Sequence, residues 1–162
     1  MELGQRQLDS LLDAWPIARL ATVSPDGRPH LVPVVFARFA GRFVTPVDGK
    51  PKRGSQLARV RNARETPAAS LLLDGYSDDW TQLWWLRVDA TIEVVEPVVD
   101  GDTRDEFVSG AVEALRQKYP QYQSVEVLRD PATLLALRPD RITSWCAGPI
   151  DAVMAQARDA RG

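Results

Sequence analysis

Runs of apolar residues change their period several times along the chain, and each change marks an element. Leu8, Leu11 and Leu12 recur at helical spacing between Gln5 and Ala14, and Pro16 cannot continue the run, so a short amphipathic helix is predicted there. Ile17 to Val23 and Arg28 to Phe36 are rich in branched residues and are separated by Ser24-Pro25-Asp26-Gly27, the punctuation of a hairpin. Within the second run, Leu31 to Phe36 is apolar on both faces, which predicts a strand covered by the core on one side and by another layer or subunit on the other. Pro33 has no amide hydrogen to donate, so a bulge or unpaired position is expected at that point. Ala40-Gly41-Arg42 then turns the chain into a third strand, Phe43 to Val47.

Asp48 to Gly54 reads as a loop, and Ser55 can cap a helix in which Leu57 and Val60 face inward while Arg59, Arg61 and Arg64 stay wet. Pro67 ends that helix, and Ala68 to Leu73 is a fourth strand. From Leu83 to Val94 the alternation is strictest: Trp84, Leu86, Val88, Ala90, Ile92 and Val94 interleave with Trp85, Arg87, Asp89, Thr91 and Glu93, predicting a long strand with one polar face. Thr103 to Tyr119 follows as an amphipathic helix closed by Pro120. A last β region runs through Thr133 to Leu137 and Arg141 to Trp145 about the bend Arg138-Pro139-Asp140, and Ala152 to Ala160 reads as a short, frayed terminal helix. Six strand segments joined by tight turns, with few and short helices, predict a mainly β, α+β chain. The expected form is a six-stranded antiparallel barrel with flanking helices, its edges hidden by closure.

The length of 162 residues suits one domain, and 44% apolar with 26% charged residues is ordinary globular usage. A net charge of −2 supplies no field toward nucleic acid or an anionic membrane, so neither is expected as a partner. Cys146 and His30 are the only residues of their kinds, too few for an internal disulfide or a metal site of ordinary ligand count. Charged residues interrupt the leucines of Met1 to Asp13 and no window is long enough to cross a bilayer, so a reducing, cytoplasmic compartment is expected.

Candidate chemistry concentrates in a few places. Thr45-Pro46-Val47-Asp48-Gly49-Lys50-Pro51-Lys52-Arg53-Gly54-Ser55 is a strand end opening into a glycine-flanked loop with three cations ahead of a helix, a composition that suits a phosphate. Taken alone, a solvated charge run is an equal reading. Arg19 and Arg87 are single charges in strand-like apolar runs, so each is expected to meet an anion, whether a ligand or a carboxylate such as Asp79 or Asp89. Trp80, Trp84 and Trp85 cluster near Arg87, where a planar cofactor could stack; for Trp84 an oligomer interface is the preferred reading. His30 has no nucleophile or acid arranged about it and reads as structural, while Asp78 and Asp79 lie in a turn and read as a solvated loop. No nucleophile elbow, P-loop or dinucleotide fingerprint is present, and no catalytic side chain is assigned.

Read together, Ala18-Arg19-Leu20-Ala21-Thr22-Val23-Ser24-Pro25-Asp26-Gly27-Arg28-Pro29-His30 with Pro33-Val34 resembles the opening hairpin of the pyridoxamine 5'-phosphate oxidase-like split-barrel proteins. Phe43-Val44-Thr45 with the Lys50 to Arg53 loop resembles their cofactor-phosphate segment, and Leu57 to Leu73 their helix and next strand. Asp78-Asp79-Trp80, Leu83-Trp84-Trp85-Leu86-Arg87-Val88, Pro139-Asp140-Arg141-Ile142 and Trp145 are similar to a branch of probable deazaflavin (F420)-dependent enzymes. The resemblance spans roughly residues 8 to 147 of a single domain running from 1 to 162.

It implies a homodimer with two equivalent cofactor sites, each lined by both subunits and holding F420 or, alternatively, FMN. By position, Lys50, Lys52 and Arg53 would bind the cofactor phosphate, and Arg19, Pro33, Val34, Thr45 and Pro46 would lie along the ring system. Trp80 and Arg87 would come from the partner subunit. The activity implied is hydride transfer to or from a small, conjugated or aromatic compound, which needs no protein nucleophile. The chain ends in Gly148-Pro149-Ile150 and a weak helix, where the vitamin-B6 oxidases end in a strand with arginines for substrate phosphate, so oxidation of pyridoxamine phosphate is not expected. A non-catalytic module that carries a cofactor, or haem with His30 as axial ligand, is the competing reading.

Overall fold

A computed structural model describes residues 1–47, 57–96, 103–128 and 132–159. Among them, helices α1 (Gln5–Ala14), α2 (Ala58–Glu65), α3 (Thr103–Lys118) and α4 (Ile150–Asp159) surround seven strands. These are β1 (Ala18–Val23), β2 (Pro29–Val34), β3 (Ala37–Phe39), β4 (Arg42–Pro46), β5 (Ala68–Gly75), β6 (Trp84–Val95) and β7 (Leu134–Cys146). They form one curled antiparallel sheet in the order β2-β1-β5-β6-β7-β4-β3.

The sheet has seven strands where six were expected, and it is a curled half-barrel with β2 and β3 as its edges rather than a closed barrel: the run from Arg28 stops at Val34 and an unexpected strand, Ala37–Phe39, follows Phe36. The amide of Phe36 donates to Tyr119 Oη at 2.9 Å, and the same hydroxyl lies 2.8 Å from the carbonyl oxygens of Phe36 and Pro16. With both backbone groups of Phe36 engaged by a buried side chain, the ladder cannot continue, and β3 starts afresh. Pro33 makes no bulge: its register with Arg19 is regular, because β2 is the outermost strand and nothing asks for the missing amide. The bend at Arg138-Pro139-Asp140 is likewise not a break. Ala90 pairs with Pro139 and Asp89 with Arg141, so Asp140 is the extra residue of a bulge inside a continuous β7.

Both expected turns form. Gly27 adopts φ +83° and Gly41 φ +72° in the β1–β2 and β3–β4 connections, a region that a side chain disfavours. Helix α2 starts at Ala58, and Arg59 is half-buried where it was expected wet; Arg61 and Arg64 are exposed. The cap expected from Ser55, and the loop before it, lie outside the described residues.

Two buried clusters hold the layers together. On the concave side, Leu20, Leu71, Leu73, Leu86, Val88 and Ile92 pack with Leu11 and Leu12 of α1 and with Val153 and Ala157 of α4. On the other side, Val108, Ala111, Leu115 and Tyr119 of α3 pack on Ala37, Val44, Leu134 and Ala136. The half of the sheet made by β3, β4 and the start of β7 is therefore lined on both faces. The half made by β2, β1, β5, the first part of β6 and the end of β7 is covered on its inner face only: Leu31 is 62% and Trp145 37% exposed.

Trp84, read above as an interface residue, belongs instead to this chain's own core. It is fully buried, meets Trp15 edge-to-face at 4.7 Å and donates from Nε1 to Gln156 Oε1 at 2.8 Å.

Candidate functional site

Side chains two apart on a strand share a face, so register alone assembles the outward surface. One rung runs Pro33, Arg19, Leu72, Arg87, Thr143 across β2, β1, β5, β6 and β7; the next runs Leu31, Ala21, Ser70, Asp89, Arg141. On the other side of the arginine rung, Asp74 pairs with Trp85 and Trp85 with Trp145. Between them lies an open groove of about 430 Å³ whose floor is Ala21, Leu31, Leu72 and Trp85, with Arg19 and Arg87 on its sides and Tyr76 at its end.

Each arginine has a carboxylate. Arg19 Nη1 pairs with Asp74 Oδ1, and Arg87 Nε lies 3.1 Å from Asp89 Oδ1, which also accepts from Ser70 Oγ at 2.8 Å. Both guanidinium side chains remain 45% exposed, so solvent screens these pairs and they can exchange their partners for a ligand's anionic group. A larger cleft of about 610 Å³ lies between α1 and the end of α3, but its cations are committed. There Arg38 holds Asp9 and Asp13 at 2.5–2.9 Å, and Lys118 Nζ donates to the Leu12 carbonyl at 2.9 Å while sitting 3.5 Å over the Phe36 ring.

The β5–β6 connection borders the groove. Trp80 opens a single 3₁₀ turn, Trp80–Gln82, and is 77% exposed; Tyr76, earlier in the same connection, is 70% exposed. Asp79 is exposed, as the loop reading expected, and it caps this turn rather than meeting Arg87. It accepts from Thr81 Oγ1 at 2.6 Å, Gln82 Nε2 at 2.8 Å and Thr81 N at 3.0 Å, and these bonds hold its carboxyl below the ordinary 3.8.

Of the residues singled out from sequence, Arg19, Arg87 and Pro33 share the outward rung. Val34 points the other way, 7% exposed in the concave core. Thr45 and Pro46 lie on β4; Thr45 is 1% exposed, with no hydrogen-bond partner for Oγ1 among the described residues. Thr45 pairs with Leu135 and so with Val94, seven residues along β6 from Arg87, or roughly 23 Å at the usual strand rise. Within one chain, Arg19 therefore shares a rung with Arg87. Lys50, Lys52 and Arg53 lie outside the described residues. His30 pairs with Thr22 on the inward face, away from the groove. No group of three or more potential metal ligands occurs among the described residues, and no helix there is long and apolar enough to cross a membrane.

Asp74 and Tyr76 were not anticipated. The signal was present for Asp74: it ends the Ser70, Leu72, Asp74 alternation that register places on the face of Arg19.

By fold the chain is similar to a conserved hypothetical protein of Mycobacterium tuberculosis, with 19% identity, 90% of this chain and 86% of that chain covered, and a TM-score of 0.68. It is also similar to a haem storage protein of Vibrio cholerae (17% identity, 88% and 93% covered, TM-score 0.65). A FAD-binding protein of Mesorhizobium loti is a third such structure (16% identity, 89% and 95% covered, TM-score 0.64). No curated protein matches in sequence. The sequence model of the family described as pyridoxamine 5'-phosphate oxidase matches residues 5–146, which hold all seven strands and α1 to α3. This chain belongs to the pyridoxamine 5'-phosphate oxidase family.

Proposed function

We propose that the protein is an oxidoreductase that binds a phosphate-bearing tricyclic cofactor, F420 ahead of FMN, where two copies of the chain meet. The observation that carries this reading is the bare half of the sheet, where Arg19 and Arg87 flank an apolar floor beside Trp85. An apolar strip edged by cations suits a flat ring system with anionic substituents, and it also suits burial against a second copy of the chain. Thr45 and Arg87 lie seven residues apart in register along β6, and a site that draws on both is proposed to be built by two subunits.

When bound, the cofactor supplies hydride transfer. The chain's own part is to orient the rings, offer Arg19 and Arg87 to their anionic edges and exclude water from the apolar floor. Lys50, Lys52 and Arg53 are assigned to the phosphate. The substrate class is a small conjugated or aromatic compound. The single cysteine, Cys146, is buried, which fits a cytoplasmic setting.

Titration of the purified protein with F420 and with FMN, followed by fluorescence, tests the proposal. Saturable F420 binding by a dimer, weakened by about 1 to 3 kcal/mol in Lys52→Ala, is the expected outcome. Tight FMN binding without F420 binding moves the assignment to an ordinary flavoprotein. A strong Soret band in protein as purified would replace both with haem carriage, and the only histidine, His30, faces the wrong side of the sheet to ligate haem from the groove.

A further inference from the structure

The indole of Trp80 is the most exposed aromatic group among the described residues, yet it stands on one of the most constrained turns. From within, Asp79 accepts three hydrogen bonds and the Ser77 hydroxyl donates to the Asp79 carbonyl oxygen at 3.0 Å. From below, the turn is tied to α4, which lies beyond residues 5–146 of the family match. Gln156 spans the gap: its Oε1 accepts from Trp84 Nε1 at 2.8 Å and its Nε2 donates to the Gln82 carbonyl oxygen at 3.0 Å. One side chain therefore links the core tryptophan of β6 to the backbone of the turn that displays Trp80.

The surroundings are built to admit this link. At Gly75 a Cβ would lie 2.3 Å from Trp84 Nε1 and 2.6 Å from Gln156 Oε1, so any larger residue would part the pair. At Gly148 a Cβ would lie 2.0 Å from the Thr81 carbonyl oxygen, so the β7–α4 connection rests directly on the turn's backbone. Ala147 N donates to Leu83 O at 2.9 Å alongside it. Helix α4 is seated by Val153 and Ala157, at 0% and 2% exposure, and so brings Gln156 to a fixed place. The terminal helix expected to fray is a strut.

A turn held in advance spares the ordering entropy that a loose aromatic loop would lose on meeting a ligand. We propose that Gln156 is a positioning residue: through Gln82 it fixes the orientation in which Trp80 is presented to the planar cofactor. This rests on the cofactor reading above and on the cofactor contact that the family resemblance implies for Trp80.

Two substitutions separate the two bonds. Gln156→Glu keeps an oxygen for Trp84 Nε1 but has no donor for the Gln82 carbonyl; Gln156→Leu loses both. Melting temperature, F420 and FMN titrations, and amide exchange at Thr81 to Leu83 are measured on the full chain. Gln156→Glu should melt below the wild type but above Gln156→Leu, exchange faster at Thr81 to Leu83 and show a roughly tenfold higher Kd, approaching the loss in Trp80→Ala. Gln156→Leu should add a loss of stability. Wild-type exchange or wild-type affinity in Gln156→Glu overturns the proposal. Failure of the unmutated protein to bind either cofactor is a different result, and it brings down the cofactor reading on which the proposal rests.

Discussion

Arg19 and Arg87 stand on one rung of the sheet, on either side of Leu72, and each is neutralised by a carboxylate on the same face. The two guanidinium groups thus edge an apolar strip without lending the face a large net charge. Such an arrangement costs little to keep in water and gains when a planar anion replaces the carboxylates as partner.

Replacing either arginine should separate binding from stability. Arg19→Ala and Arg87→Ala should each change urea-unfolding stability by less than about 1 kcal/mol, since the pairs are exposed. Each should raise the Kd for F420 or FMN by roughly tenfold, as expected for a lost charge-assisted bond. A large loss of stability with unchanged affinity would make these pairs structural.

Tyr119→Phe removes the hydroxyl that serves Phe36 and Pro16, and should destabilise the fold by about 1–3 kcal/mol. Burial pushes the Tyr119 hydroxyl above its ordinary 10.0, against a smaller opposing pull from its bond to the Phe36 backbone. Because the folded value is the higher one, the stabilisation is complete below 10.0 and fades as pH rises past it, where the unfolded chain ionises first. Denaturation midpoints followed into the alkaline range should therefore fall, and fall less steeply in Tyr119→Phe.

At the acid end the sign reverses. The hydrogen bond from Arg38, with a smaller one from Gln5, holds the Asp9 carboxyl below its ordinary 3.8. The contribution is present above that value and is lost as pH falls through the lower folded one. Arg38→Gln, which also frees Asp13, should flatten the acid limb of a stability-against-pH curve measured by circular dichroism.

Gly148→Ala drives a Cβ into the Thr81 carbonyl, a backbone atom that no rotamer can move aside. A loss of about 1–3 kcal/mol is expected. Amide exchange should quicken around Trp80 while β1 and β2 stay protected.

Much of this architecture was legible in the sequence. Alternation from Trp84 to Val94 placed β6 within a residue at each end, and Gly27 and Gly41 marked both turns. The same alternation put Trp84 in step with Leu86 and Val88, so its burial could have been read from parity; the interface reading gave more weight to residue type than to position. The break after Val34 was not legible, since it depends on a tyrosine 83 positions from Phe36. The bulge at Asp140 was hidden for a related reason, because a proline reads as a stop until a partner strand shows that it can be absorbed. For the site, local pattern found Arg19 and Arg87, but their company with Asp74 and Tyr76 comes from strand order, and the place of Gln156 beside Trp84 comes from the docking of α4.

Helix α3 insulates one half of the sheet from water and leaves the other half bare. Changes on the bare outer face can alter what the protein recognises while the two buried clusters keep the chain folded. A lineage with this layout can explore new ligands on one flank without risking collapse on the other, and a fluorophore or surface tether belongs on the flank that α3 already shields.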